Sequence, residues 1–224
     1  MHLNPISQDK DRHKNIWYSA SKKKFDGKEP FFYDLNDPWI DVLEAEWLVI
    51  KDELNNLLQT QANCLTPYFD KAMISKPDLW KVFPFFFWKR KFIENCQKCP
   101  KTTKLLESIP HMVSGSFSLL EANSTIEPHS GDTNAIIRCH LGLNIPASLP
   151  NCGLRVGNEE KSWTEGKFLM FCDAHRHSAW NHTSKKRFIM IIDVMRPQYV
   201  SQTNEICNNV FSYLFKKRIQ MLLK

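Results

Sequence analysis

From Met112 onward the chain falls into short alternating runs separated by glycine, proline and asparagine, and this pattern narrows the possible folds more than any other feature. The spacing predicts strands over 113–121, 135–145, 153–157, 167–172, 176–181 and 186–196. Short strands at regular intervals with turn signals between them build an all-β sandwich or a jelly roll. Within 137–145 the residues Ile137, Cys139, Leu141, Leu143 and Ile145 are apolar, while Arg138, His140, Gly142 and Asn144 fall between them. A strand alternates its faces, so Arg138 and His140 share one. That face is either the solvated side of a half-buried strand or the wall of a pocket that receives an anion.

The residues before Met112 have a different period. Residues 1–30 are polar, include Lys22-Lys23-Lys24, and read as a flexible or loosely docked arm. Asp37-Pro38 has the form of an N-cap followed by proline in the first turn. Trp39, Leu43, Trp47, Ile50, Leu54 and Leu57 then recur at helical spacing, which predicts one amphipathic helix of about 20 residues, its tryptophans packed on the sheet. Trp80 to Trp88 is a dense apolar patch followed by Lys89-Arg90-Lys91; burial is the simpler reading, a rim of a substrate cleft the other. Cys96-Gln97-Lys98-Cys99 is a lone Cys-x-x-Cys without a second pair, a weak sign of zinc or redox chemistry. Pro100 to Ser108 predicts a short helix. From Asn204, Ile206, Val210, Phe211 and Leu214 return to helical spacing, ending in Lys216-Lys217-Arg218. This is a terminal docking helix or, alternatively, a basic amphipathic contact to a membrane or partner. The expected organisation is an arm with helices over 1–110, a β core over 111–200 and a C-terminal helix over 201–224, within one structural domain.

Bulk properties exclude less. The 224 residues suffice for one sizeable core, and 42% hydrophobic with 24% charged residues is globular. A net charge of +6 suits an anionic substrate, a membrane surface or nucleic acid, but no zinc-finger or RNA-motif spacing appears, so no specific nucleic acid is expected. Seven cysteines without small-scaffold spacing, and no signal peptide, point to reduced thiols in the cytoplasm, where a membrane surface is the second expected location. No apolar run approaches the roughly 20 residues of a membrane span.

His129 and His177 are far apart in sequence, and Arg187 follows His177 by ten residues. A non-haem Fe(II) centre needs imidazole ligands that leave coordination positions open. A dicarboxylate filling two of those positions needs a guanidinium to hold its far end. Imidazoles also suit zinc, copper and nickel, so these residues alone leave the metal open.

The motifs His129-x-Gly131-x-Thr133-Asn134, Arg138-x-His140-Leu-Gly-Leu143, Glu165-Gly-Lys167 near Phe171-x-Asp173, His177-x-x-Trp180-Asn181 and Arg187-Phe188 fall in order. Together they resemble the aspartyl/asparaginyl β-hydroxylase family of Fe(II)/2-oxoglutarate oxygenases, over about Phe83 to Pro197. The resemblance implies a mainly β fold with flanking helices, a double-stranded β-helix form of the jelly roll. It implies a dioxygenase that uses Fe(II), 2-oxoglutarate and O₂ to hydroxylate an unactivated C–H bond. His129 and His177 would be the metal ligands. Arg187, helped by the Ser118 hydroxyl, would hold the distal carboxylate of 2-oxoglutarate. His140 would contact its iron-bound end, and Arg138 would recognise a cosubstrate or substrate carboxylate. Trp180 and Asn181 would fix the strand after His177.

Many such oxygenases add a carboxylate two residues after the first histidine. Here that position is Gly131; the resembled family also lacks the carboxylate, with water in its place, and Asp132 is the less favoured candidate. The chain departs from the family pattern at Cys172, where aspartate is common, and at His175 and Arg176. His175 is expected to stand behind the metal ligands or to compete with them. One branch of the family hydroxylates Asp or Asn side chains in peptides, another the acyl chains of lipids such as lipid A. Pro30-Phe31-Phe32-Tyr33-Asp34, and the lack of a repeat-rich helical extension ahead of it, resemble the short bacterial members. The alternative is a jelly-roll binding module that keeps a dicarboxylate pocket but has lost turnover through His175 and Arg176.

Overall fold

The structure, a computed structural model, describes residues 16–61, 63–70 and 73–222. The arm read over 1–30 therefore lies outside the described residues as far as residue 15. From Ile16 the chain is held to the fold: Tyr18 bridges Thr133, and the Trp17 and Ser19 amides donate to Asn134 Oδ1 and the Asp132 carbonyl.

Twelve strands follow in chain order: β1 Phe32–Tyr33, β2 Thr66–Pro67, β3 Trp80–Phe87, β4 Arg90–Lys91, β5 Met112–Leu120, β6 Ser124–His129, β7 Ile136–Asn144, β8 Cys152–Val156, β9 Glu159–Lys161, β10 Phe168–Phe171, β11 His177–Asn181 and β12 Arg187–Met195. The larger sheet runs β1-β10-β7-β12-β5-β3-β2, with β4 paired to β3, and the smaller runs β6-β11-β8-β9. All these strand pairs are antiparallel. Leu120, Phe171 and Ile189 of the larger sheet pack with Ile126, Leu154 and Ala179 of the smaller, so the two sheets close face to face around one interior. This is the mainly β jelly roll that the alternation predicts.

The other face of the larger sheet is covered by helices. The amphipathic stretch is two helices rather than one: α1 Pro38–Ala45 and α2 Trp47–Thr60, separated at Glu46. Both turn their stripe inward, Ile40 and Leu43 from α1 and Ile50, Leu54 and Leu57 from α2. Trp39 and Trp47 are only half-buried at the margin of this layer. Helices α3 Ile93–Lys98 and α4 Pro100–Glu107 complete it, and the Cys96 and Cys99 thiols are buried within it. Ile137, Cys139, Leu141 and Leu143 of β7 pack here, which leaves Arg138 and His140 for the interior between the sheets. Helix α5, Thr203–Leu222, sets Ile206, Val210 and Leu214 against a third cluster around Ile136 and Trp88.

Six of the strands lie outside the predicted set: the two- and three-residue strands β1, β2, β4 and β9, and the longer β3 and β6. The aromatic patch at Trp80 is β3, and its Pro84 sits where the register with β5 shifts, the place where a sheet tolerates a missing N–H. Ser124–His129 is β6, a largely polar edge strand with little alternation to announce it.

Candidate active site

Antiparallel registers bring the predicted residues to one face. Ser118 lies opposite Ile189 on β12, whose alternate residues Arg187 and Ile191 share that side. On the other flank of β12, Ile191 pairs with His140 and Asp193 with Arg138. From the facing sheet His129 and His177 are directly paired, their ring centroids 4.2 Å apart. These residues, with Trp80, Ile126, Leu154, Phe171 and Ala179, enclose a small cavity of about 30 Å³.

Local bonds fix the imidazoles. His129 Nδ1 lies 2.7 Å from the Glu127 carbonyl and His177 Nδ1 2.9 Å from the His175 carbonyl. A carbonyl can only accept, so each Nδ1 carries the hydrogen and each Nε2 presents a lone pair. Burial drives the His129 pKa down to about 4 and that of His177 well below the ordinary range, so both rings are neutral. Neutral imidazoles oriented through the far nitrogen are the form that binds a metal. His140 is held the opposite way: Trp163 Nε1 donates to its Nδ1 at 3.2 Å, which leaves Nε2–H as a buried donor without a partner. Trp80 Nε1 donates to Ser118 Oγ at 3.1 Å, so the hydroxyl hydrogen remains available.

Arg187 is 1% exposed, its guanidinium 4.7 Å from the Trp163 ring. Its Nε and Nη2 have no hydrogen-bond partner, and burial lowers its pKa to about 10. A buried guanidinium with idle donors is costly unless an anion meets it. Arg138 is in the opposite state. Its Nη1 donates to Asp173 Oδ1 at 2.5 Å, and its Nε and Nη2 donate to Asp193 at 2.8 and 3.0 Å. Its charge is matched inside the protein, which leaves little of it for a ligand.

Asp173 is the residue that sequence reasoning passed over, although the Phe-x-Asp motif contains it. Its carboxylate is fully buried, with Oδ1 3.4 Å from His177 Nε2. Two lone-pair groups that close are comfortable only with a cation or proton between them. The Gly131 amide donates to the Asp173 carbonyl at 2.7 Å, and a Cβ on Gly131 would collide with the Asp173 carboxylate. The missing side chain therefore makes room for an acid from another part of the chain. Burial raises the Asp173 pKa to about 7, opposed by the Arg138 guanidinium and aided by Asp193 and Asp132. Among the described residues no group of three or more histidine, cysteine or carboxylate side chains is disposed to hold a metal ion.

His175 turns away from the cavity. Its Nε2 lies 2.7 Å from the Glu29 carbonyl, and its ring meets Phe25 and Phe31 edge-on at 5.0 and 4.7 Å. Arg176 is exposed, and Cys172 is buried beside Phe25 and Ala174. Asn181 donates to the carbonyls of Glu121 and Lys185 at 3.1 and 2.7 Å, and so pins the turn that delivers Arg187. Trp180 donates to the Pro150 carbonyl at 2.7 Å.

A second compartment of about 480 Å³ opens from the same histidine and shares Trp80, His129, Arg138 and Ile191 with the smaller cavity. Its walls are mainly apolar, among them Tyr68, Phe69, Val82, Phe86, Phe87 and Phe92. Tyr68, also missed in the sequence, stacks on Trp80 at 3.8 Å and 17°. Asp132 faces this compartment and a neighbouring cavity beside Tyr18 to Ser21.

A sequence profile described as aspartyl/asparaginyl beta-hydroxylase matches residues 44–197. An ornithine lipid ester-linked acyl 2-hydroxylase of Rhizobium tropici is 33% identical over 176 residues, 76% of this chain and 62% of that protein. The human aspartyl/asparaginyl beta-hydroxylase is 34% identical over 165 residues, 71% of this chain and 21% of that protein. The chain thus spans less than two thirds of either relative. A Pseudomonas putida prolyl-4-hydroxylase structure is a distant likeness, with 12% identity, a TM-score of 0.46 and coverage of 70% of this chain and 98% of that one. By the profile match alone, which extends over more than half its length, the chain belongs to the aspartyl/asparaginyl beta-hydroxylase family.

Proposed function

We propose that the protein is an Fe(II)- and 2-oxoglutarate-dependent hydroxylase of an unactivated C–H bond. Arg187 carries this reading: a fully buried guanidinium with unpaired donors, lining a small cavity shared with two neutral imidazoles. His129 and His177 would hold the metal through Nε2, with the Asp173 carboxylate adding negative charge beside it. Arg187 and the Ser118 hydroxyl would take one carboxylate of the diacid, and the His140 Nε2–H would donate to its other end. When bound, iron and 2-oxoglutarate supply O₂ activation, and the diacid leaves as succinate and CO₂. The chain's own part is to orient the two groups and to keep water out of a cavity walled by Ile126, Leu154, Phe171 and Ile189.

Arg138 has a positioning role in this reading, since its donors are engaged by Asp173 and Asp193. The substrate enters through the open compartment, and its lining favours an acyl chain over an acidic side chain. The aromatic walls accept methylenes, while a substrate carboxylate near His129 would meet Asp132 and a guanidinium already matched by two acids. No helix among the described residues is long and apolar enough to cross a membrane, so we read the protein as working peripherally. Its seven free thiols support the cytoplasmic side. The binding-module alternative rested on His175 and Arg176, and neither lines the cavity.

Succinate release coupled to O₂ uptake tests the proposal, with a gain of one oxygen sought by mass in lipids and peptides of a cell extract. His129→Ala and His177→Ala should each abolish succinate and weaken Mn(II) binding in calorimetry. Undiminished turnover in both variants would end the assignment.

A further inference from the structure

We propose that the corner formed by the β3–β4 turn, the start of α3 and the outer stripe of α5 is a docking surface for an anionic membrane, set around the mouth of the open compartment. Phe211, Phe215 and Ile219 recur every four residues on α5 and form one stripe. The stripe starts inside the fold: the Arg90 guanidinium lies 3.6 Å from the Phe211 ring, and Phe87 is 6.4 Å from it. It then runs outward, Phe211 stacking on Phe215 at 6.1 Å, with Phe215 56% and Ile219 42% exposed. Phe92 and Ile93, at the start of α3, are 41% and 63% exposed. Phe92 and Arg218 both line the open compartment, so this apolar rim and the entrance to the site are continuous.

Charge identifies the occupant. Lys89, Arg90 and Lys91 lie at the β3–β4 turn just before Phe92, and Lys216 and Arg218 are exposed on α5 between Phe215 and Ile219. Lys91 pairs with Glu107, Lys217 with Asp70, and Arg90 bonds Asn208 and the Trp88 carbonyl. Lys89, Lys216 and Arg218 form no ion pair among the described residues, and Glu94 is the acid nearest in sequence to Ile93. Val42 and Leu48 are also exposed but sit among Asp41, Glu44, Glu46 and Asp52, and the nearby Lys51 and Lys167 are paired to Glu165 and Glu44, so this surface has more acids than cations. Exposed apolar side chains ringed by cations are the form of a peripheral membrane contact. On this corner an acyl chain would pass from the bilayer along Phe92 and Phe86 toward His129. That route rests on the acyl-chain reading, whereas the docking itself does not.

The full chain is sedimented with vesicles of phosphatidylcholine, with and without phosphatidylglycerol. It should bind the anionic vesicles and be released by salt. Phe215→Asp with Ile219→Asp should weaken binding by about tenfold, and Lys216→Glu by about fivefold. Val42→Asp with Leu48→Asp should leave binding unchanged. The proposal falls if the wild type ignores anionic vesicles, if the α5 double variant binds them as well as the wild type, or if that variant only splits a dimer of this chain. Succinate formation in the same preparations is a separate readout, so vesicle binding without turnover would keep the surface and sink the chemistry.

Discussion

The small cavity and the larger compartment that opens beside it meet at His129 and are built by opposite means. The smaller one, about 30 Å³, is lined by strands of both sheets, and its Ser118 hydroxyl and three imidazoles each have their orientation set by a neighbour. The larger one, about 480 Å³, takes much of its wall from Tyr68, Phe69 and Met73, from β3 and from Arg218 of α5. A reaction centre needs fixed geometry, which paired strands supply. A substrate wall needs only shape and polarity, so it can be assembled from loops and edges. The first therefore has the rigidity a reaction centre requires, and under the proposed function the second is the half that would set specificity.

Four substitutions would break or sharpen that contrast. The largest effect is expected from Gly131→Asp, which writes a His-x-Asp pair into the sequence. It should abolish turnover rather than improve metal binding, because the new side chain collides with the Asp173 carboxylate. A gain in Mn(II) affinity by calorimetry would show that the two carboxylates can exchange places. Arg187→Met should weaken 2-oxoglutarate binding by about 10- to 100-fold, the range of lost charge-assisted hydrogen bonds. The same variant should match or exceed the wild type in thermal stability when empty, since it removes an unpaired buried cation. Loss of stability on removing Arg187 would mean its charge is already compensated.

Val82→Trp acts on the open side only. It should lower substrate oxidation by about tenfold while leaving 2-oxoglutarate affinity unchanged. Parallel losses in both would mean the two spaces are not separate. The smallest effect concerns Asp132, whose pKa burial raises to about 6. A carboxyl that holds its proton more tightly when folded stabilises the protein at acid pH, and that contribution is lost as pH rises through about 6. Asp132→Asn should therefore flatten the fall in melting temperature between mildly acid and neutral pH, with no change in metal affinity. Iron affinity abolished by this variant would instead make Asp132 a ligand.

Much of the molecule was legible in the chain. The strict alternation of Ile137 to Leu143 separates a helix-facing row from a cavity-facing one, and motif order marks His129, His177 and Arg187. The two longest of the missed strands, β6 and β3, show where that signal fails. β6 carries a metal-ligand candidate, but its Ser124-Thr-Ile-Glu-Pro-His129 run lacks the alternation that would announce it; pairing with β11 makes it a strand. β3 is apolar on both faces, one toward the helices and one toward the open compartment, so its pattern reads as mere burial. The break at Glu46 is likewise invisible to periodicity, because Leu43 and Ile50 keep the same stripe across it.

The sequence by itself determined the sheet-rich fold class, the faces of its central strand and the identity of two imidazoles and one guanidinium. Tertiary structure decided how their charges are used. Arg138 and Arg187 are both arginines on strands beside the cavity, yet one is matched by Asp173 and Asp193, whereas the other lies over an indole ring with Nε and Nη2 unpaired among the described residues. Whether a buried cation is satisfied depends on neighbours across space, 35 and 55 residues from Arg138 along the chain, and no local pattern records that distance.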